Sequence, residues 1–129
     1  MRVLGMLVMA IAAMVFVAPS QAVEYRSFTS EAFAQAQAAG QPILVEVHAD
    51  WCPTCRAQAP AIRRAAAASE FEDLVVFTLD FDRQTAERRA LGVRAQSTLI
   101  AFRGRAETGR SVGDTDPSRI GALLRTAIR

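Results

Sequence analysis

Nine residues, HADWCPTCR at positions 48–56, hold both cysteines of a 129-residue chain, Cys52 and Cys55, with its single tryptophan, Trp51, and its single histidine, His48. A C-x-x-C pair has three ordinary uses: exchange between thiols and disulfides, ligation of a soft metal ion, and a covalent staple. The staple is the weakest of these. Closing a four-residue loop yields only about 2 kcal/mol in the chain-entropy estimate, because the two residues already neighbour each other in one turn. A metal site would recruit His48 beside the two thiolates, a donor set suited to copper or zinc. Structural zinc sites ask for four such ligands, and the chain has no further Cys or His to supply the fourth. No metal and no cofactor is therefore assigned, and metal handling stands as the rival to thiol exchange.

Thiol exchange makes demands on the elements around the pair. The attacking species is a thiolate, so one cysteine must lie where positive potential lowers its pKa, and a helix N-terminus is such a place. Pro53 suits the first position of a helix, and TCRAQAPAIRRAAAASEF carries helix formers to about Ala68, with Pro60 predicting a kink. Cys52 then falls at the N-cap as the acidic thiol. Cys55, three positions on, is turned inward, where it can resolve a mixed disulfide by attacking the Cys52 sulfur. Ahead of them ILVEVHA (43–49), after Pro42, is a run of branched apolar residues with the character of a strand buried on both faces.

The rest of the chain alternates in the same way. VEYRSF (23–28) reads as a short first strand. TSEAFAQAQAAG follows as a helix capped by Thr29 or Ser30 and stopped by Gly40. LVVFTLDF (74–81) is a strand, and DRQTAERRALG a helix capped by Asp82 and ended by Gly92. VRAQS leads to the strand TLIAFR, Gly104 marks a hairpin turn, and ETGRSV returns at an edge. DPSRIGALLRTAIR closes the chain with Asp116 as N-cap, Pro117 at the first helical position, and Ile120, Leu123, Leu124 and Ile128 along one face. The order βαβαβαββα describes an α/β domain whose central sheet lies between helices. The first cysteine comes just past the C-terminal end of a buried strand, where such folds build their sites.

The N-terminus reads differently. Arg2 is followed by 16 uncharged residues from Val3 to Ala18, and Ser20 and Ala22 give small-residue spacing before Val23. That is the layout of a secretory signal peptide over 1–22. The apolar stretch is shorter than the roughly 20 residues a spanning helix needs, which makes an uncleaved anchor the lesser expectation. Removing 22 of 129 residues leaves 107, enough for one domain over 23–129 and too few for two. All 15 basic residues are Arg; with Arg2 removed, 14 stand against 13 acids, a balance that argues against nucleic-acid binding. Export to the periplasm would place the cysteines where disulfides persist.

On ILVEVHADWCPTC, then VRAQSTLIAFRG, then SVG before a final helix, the chain resembles the thioredoxin superfamily over nearly all of 23–129. ADWC in particular is similar to the C-terminal domain of membrane thiol:disulfide interchange proteins. The resemblance implies a mixed sheet flanked by helices and an exported thiol:disulfide oxidoreductase. It would reduce protein disulfides through Cys52 and Cys55 and be recharged by a membrane-embedded dithiol partner. It also implies roles for neighbours. Glu46, six residues before Cys52 in an otherwise apolar strand, would be a buried acid with a raised pKa that moves a proton to and from Cys55; the alternative is a strand-end glutamate reaching solvent.

Trp51 would form an exposed rim where substrates dock, joined by Pro53, Thr54, Gln96, Ser97 and Gly113. Asp50 reads as a solvated turn residue. His48 shares a face with Glu46, as a packed ring or as the third ligand of the rival metal site. Ser97 is the main departure, since the family generally has a cis-proline directly before T-L. A cis bond before a non-proline costs about 2.5 to 4 kcal/mol, so the Gln96–Ser97 bond is expected to be trans. Its hydroxyl would then lie beside Cys52. If serine has merely drifted from proline, the reverse substitution should be accepted.

Overall fold

The computed structural model describes residues 14–17 and 22–129. Its elements run β1 (Glu24–Ser27), α1 (Ser30–Ala38), β2 (Pro42–His48), α2 (Pro53–Ala66), a short 3-10 turn at Ser69–Phe71, β3 (Val75–Asp80), α3 (Thr85–Ala90), β4 (Thr98–Arg103), β5 (Ala106–Val112) and α4 (Pro117–Ile128). Apart from that turn, the order is the one the sequence implies. The five strands form one mixed sheet in the order β1-β3-β2-β4-β5, with β2 parallel to β3 and antiparallel to β4. This is the thioredoxin fold.

β2 lies at the centre because its side chains can be buried on both faces. Ile43, Val45 and Val47 point into a cluster with Phe28, Phe33, Phe77 and Phe102 on the α1 side. Leu44 points the other way, among Ile62 and Phe71, Leu99, and Ile120 and Leu124 of α4. Period-two alternation assigns Glu46 to this second face, opposite Leu99 of β4 and Thr78 of β3. A carboxylate is thus inserted among the apolar residues that seat α2 and α4.

The helix caps follow local chemistry. Thr29 accepts from the Ala32 N–H, Cys52 caps α2 with Pro53 at its first position, and Asp116 accepts from the Ser118 N–H ahead of Pro117. At α3 the cap differs from expectation. Gln84 is the N-cap, without a side-chain bond, and Asp82 lies outside the helix. The Asp80 carboxylate takes the N–H groups of Asp82 and Arg83 at 3.0 Å each, so the chain turns once more before the helix can start. Gly104 turns the β4–β5 hairpin at φ 56°, and a Cβ there would come within 3.2 Å of the Gln37 carbonyl oxygen.

The proposed leader lies largely outside the described residues; of it, Met14, Val15, Phe16 and Val17 are exposed. Among the described residues no helix is long and apolar enough to cross a membrane.

Candidate active site

Four residues after β2 ends, the chain enters α2 through Cys52, whose extended backbone (φ −85°, ψ 112°) leaves its side chain over the first turn. Its sulfur accepts the Cys55 N–H at 3.2 Å, so the expected nucleophile is itself the helix cap. Cys52 is 3% exposed and Cys55 1%, and both are free thiols. The Cys55 thiol points back toward the Val47 carbonyl, 3.9 Å away.

Burial works against a Cys52 thiolate, but hydrogen bonds from the Cys55 thiol and the Ser97 hydroxyl, with the N–H groups of Cys55 and Thr54, outweigh it and hold Cys52 below the ordinary cysteine value. Cys55 moves the opposite way. Burial pushes it up, and donating to Cys52 keeps its proton in place. Adjacent thiols with opposed shifts are what thiol exchange needs, an attacking thiolate and a resolving thiol held in reserve.

Ser97 arrives from the loop before β4. Its hydroxyl lies 3.0 Å from the Cys55 sulfur and 3.4 Å from the Cys52 sulfur, and the residue is 2% exposed. No described peptide bond is cis, the Gln96–Ser97 bond included, yet Ser97 has φ 60°, the single positive φ at a non-glycine among the described residues. That conformation costs on the order of 1–3 kcal/mol and persists only where the surroundings over-determine it. They do so here. The Ser97 N–H donates to the Val47 carbonyl at 2.9 Å, and its carbonyl accepts the Gly113 N–H at 2.9 Å and the Gln58 amide at 3.1 Å.

A proline at 97 would need φ near −65° and could not donate that N–H. In this conformation the reverse substitution would lose that hydrogen bond and require a different backbone at position 97.

The other residues singled out in the sequence divide into two groups. Trp51 is 58% exposed at the rim. Its indole N–H donates to Asp82 at 2.7 Å, which is what Asp82 does in place of capping α3. Pro53 and Thr54 lie exposed on the first turn beside it, Gln96 is partly buried next to Ser97, and Gly113 is exposed and tied to the Ser97 carbonyl. These surround the sulfurs.

Glu46 and His48 form a second group. Glu46 is buried, and burial raises its pKa against the partial opposition of His48 and Arg63. Its carboxylate lies 3.7 Å from the His48 ring, whose other nitrogen lies 3.2 Å from the exposed Asp50. Among the described residues neither Glu46 nor His48 hydrogen-bonds a sulfur, and no group of three or more His, Cys, Asp or Glu is placed to hold a metal ion.

Two contributors went unread in the sequence. Gln58 is fully buried one turn past Cys55 and donates to the carbonyls of Ser97 and Asp114, at 3.1 and 2.8 Å. A glutamine on the inner face of an alanine-rich helix was the available signal. Asp82 was visible only as a cap.

A cysteine of lowered pKa capping a helix, backed by a buried cysteine of raised pKa near the C-terminal end of the central strand, is the arrangement of a thiol:disulfide oxidoreductase. The family model for Thioredoxin matches residues 24–126. The chain belongs to the thioredoxin family. It is 33% identical over 92 residues to a thioredoxin of Chlamydia muridarum, covering 71% of this chain and 87% of that one. Thioredoxin Asp f 29 of Aspergillus fumigatus is 29% identical over 82 residues, 64% of this chain and 74% of its own. Among solved structures, Trxlp from Edwardsiella tarda aligns with a TM-score of 0.76 at 42% identity, over 78% of this chain and 98% of that one.

Proposed function

We propose that this oxidoreductase works outside the cytosol as a reductant of protein disulfides, and that a membrane-embedded dithiol protein returns electrons to it. One observation carries the exchange chemistry: Cys52, its pKa lowered, caps α2 beside the exposed Trp51, with Cys55, its pKa raised, behind it; the reductant direction is the one that membership of the thioredoxin family supports. The Cys52 thiolate attacks a substrate sulfur, a mixed disulfide forms and the first substrate thiol leaves. Cys55 then attacks the Cys52 sulfur and the second thiol leaves. Substrate backbone and side chains would meet Trp51, Pro53, Thr54, Gln96, Ser97 and Gly113.

Glu46 is proposed as the buried acid that exchanges a proton with Cys55 over a path longer than one hydrogen bond. Export is supported by the charged, apolar and small-residue layout of 1–22. Each turnover ends with a Cys52–Cys55 disulfide. Beyond the membrane the cytosolic thiol pool is out of reach, so the electrons must cross through a membrane carrier of the same chemistry.

The test is the reduction potential of the purified protein, joined to cell fractionation. A value between about −270 and −200 mV is expected, in the span of known dithiol reductants. A potential near about −120 mV, that of a strong oxidant, would reverse the direction. Recovery of the intact chain from the cytosol alone would remove export.

A further inference from the structure

We propose that His48 is the route by which the buried Glu46 exchanges protons with solvent, its ring passing them between Glu46 and the exposed side of Asp50. The inference rests on the reading of Glu46 as the acid that serves Cys55, and deepens it. Glu46 and His48 alternate on one face of β2, and Asp50 follows in the turn. Side-chain exposure rises along the series, 11% for Glu46, 21% for His48 and complete for Asp50, so it leads from the core to water. Each carboxylate has its own ring nitrogen: Nδ1 lies 3.7 Å from Glu46 and Nε2 lies 3.2 Å from Asp50.

The inner nitrogen has nothing else to do. Nδ1 is buried without a hydrogen-bond partner among the described residues, a state that buried polar atoms rarely keep without a task. The tautomer that donates Nε2–H to Asp50 turns the Nδ1 lone pair on Glu46, and a closure of about 0.5 Å brings the two within proton-transfer reach. Burial raises the pKa of Glu46, and His48 opposes that rise ahead of Arg63 of α2. The ring lines an open cavity of about 460 Å³ with Asp50, with Asp80, its register partner on β3, and with Asp82 and Arg83. A proton released at Nε2 therefore meets carboxylates and water.

In the half-cycle that reduces substrate, the Glu46 O–H gives its proton to Nδ1 while the ring releases Nε2–H toward Asp50 and water. Glu46, now a carboxylate, takes the proton of Cys55 as the Cys55 sulfur bonds to Cys52 and the substrate sulfur departs. The dithiol has given two electrons to the substrate, whose sulfurs take their protons from solvent, and one proton has left the protein. Recharging by the dithiol donor runs the path backward. As the Cys52–Cys55 bond is split, Glu46 protonates Cys55, Nδ1–H restores the Glu46 proton, and Nε2 takes one from solvent. One proton goes out and one comes in, so the ring regains its first tautomer without turning over.

A ring that carries protons can be replaced by a diffusible one. The experiment compares insulin reduction, with dithiothreitol as electron source, for wild type, His48→Ala, His48→Phe and Glu46→Gln, each with added imidazole or pyrazole. The two reagents have nearly the same shape, but only imidazole is basic near neutral pH. His48→Ala opens the cavity to either reagent, whereas His48→Phe fills the space with a ring that has no nitrogens.

Turnover of His48→Ala should fall at least about tenfold, less than direct proton transfer commands because His48 acts through Glu46. Imidazole should restore most of it and pyrazole none. His48→Phe should be as slow and respond to neither reagent, which keeps the test decisive if the alanine variant folds poorly. Glu46→Gln should be slow and indifferent to imidazole, since the route then ends at a group that takes no proton. With Glu46→Gln slow, unchanged turnover in either His48 variant, equal rescue by both reagents, or rescue by neither would overturn the route alone. A Glu46→Gln protein as fast as wild type would instead remove the reading of Glu46 on which the route rests, and the route with it.

Discussion

At the scale of single residues, the two cysteines differ by what touches them. Cys52 receives donors at the helix head, whereas Cys55 is buried and gives its proton away only in reaction. Cys52→Ser should abolish disulfide reduction, and Cys55→Ser should accumulate mixed disulfides with substrates, which non-reducing gels would detect. Trapping by Cys52→Ser instead would exchange the roles. Glu46 allows a signed pH prediction. Its folded pKa is raised by burial above the ordinary value of 4.5, so the native state holds a proton that the unfolded chain has lost. The stability it contributes is fully present below 4.5 and is lost as pH rises through the folded pKa. Glu46→Gln should therefore unfold at a higher temperature than wild type at neutral pH, with the gap closing toward pH 4.5. Its turnover should slow and lose one ionisation from the pH-rate profile; an unchanged profile would leave Glu46 outside the mechanism.

At the scale of elements, the site is a junction of α2, the loop before β4 and the turn after β5. Gln58 connects all three through two hydrogen bonds from its side-chain amide, one buried and one partly buried. Gln58→Leu removes them and should destabilise the fold by about 1–2 kcal/mol, since the carbonyls it serves are partly deprived of donors. Thermal unfolding would read this as a fall of roughly 4–8 °C per kcal/mol. Ser97→Pro should cost more, about 3 kcal/mol, because it removes the N–H bonded to Val47 and imposes φ near −65° where the chain holds 60°. A Ser97→Pro protein as stable as wild type would mean that the loop can re-form around proline. Asp82 illustrates a related point: released from capping by the Asp80 turn, it is available to orient Trp51 at the rim.

At the scale of the whole molecule, a sheet of five strands separates two cores, and both are closed by residues from Val23 onward. Met14 to Val17 contribute to neither. Residues 23–129 expressed alone should fold with the circular dichroism and unfolding temperature of the full 129-residue chain and reduce insulin at the same rate. A loss of more than about 1 kcal/mol, a large share of a small domain's stability, would show that earlier residues support the fold.

The pattern along the chain was sufficient for the element order, the caps at Thr29, Cys52 and Asp116, and the seat of the Cys52–Cys55 pair at the head of α2. These depend on neighbours one turn or one strand apart, where residue type determines the outcome: proline starts a helix, branched residues bury a strand, and a helix N-terminus stabilises a thiolate. Tertiary structure decided the rest. That Ser97 bridges the two sulfurs with φ 60°, that Gln58 anchors it, and that Asp82 serves Trp51 rather than α3 all require contacts between positions 31 to 45 residues apart. Local preference disfavours a left-handed serine, and several hydrogen bonds from separate elements together outweigh it. No stretch of sequence contains that sum, because the terms meet only when the sheet has formed.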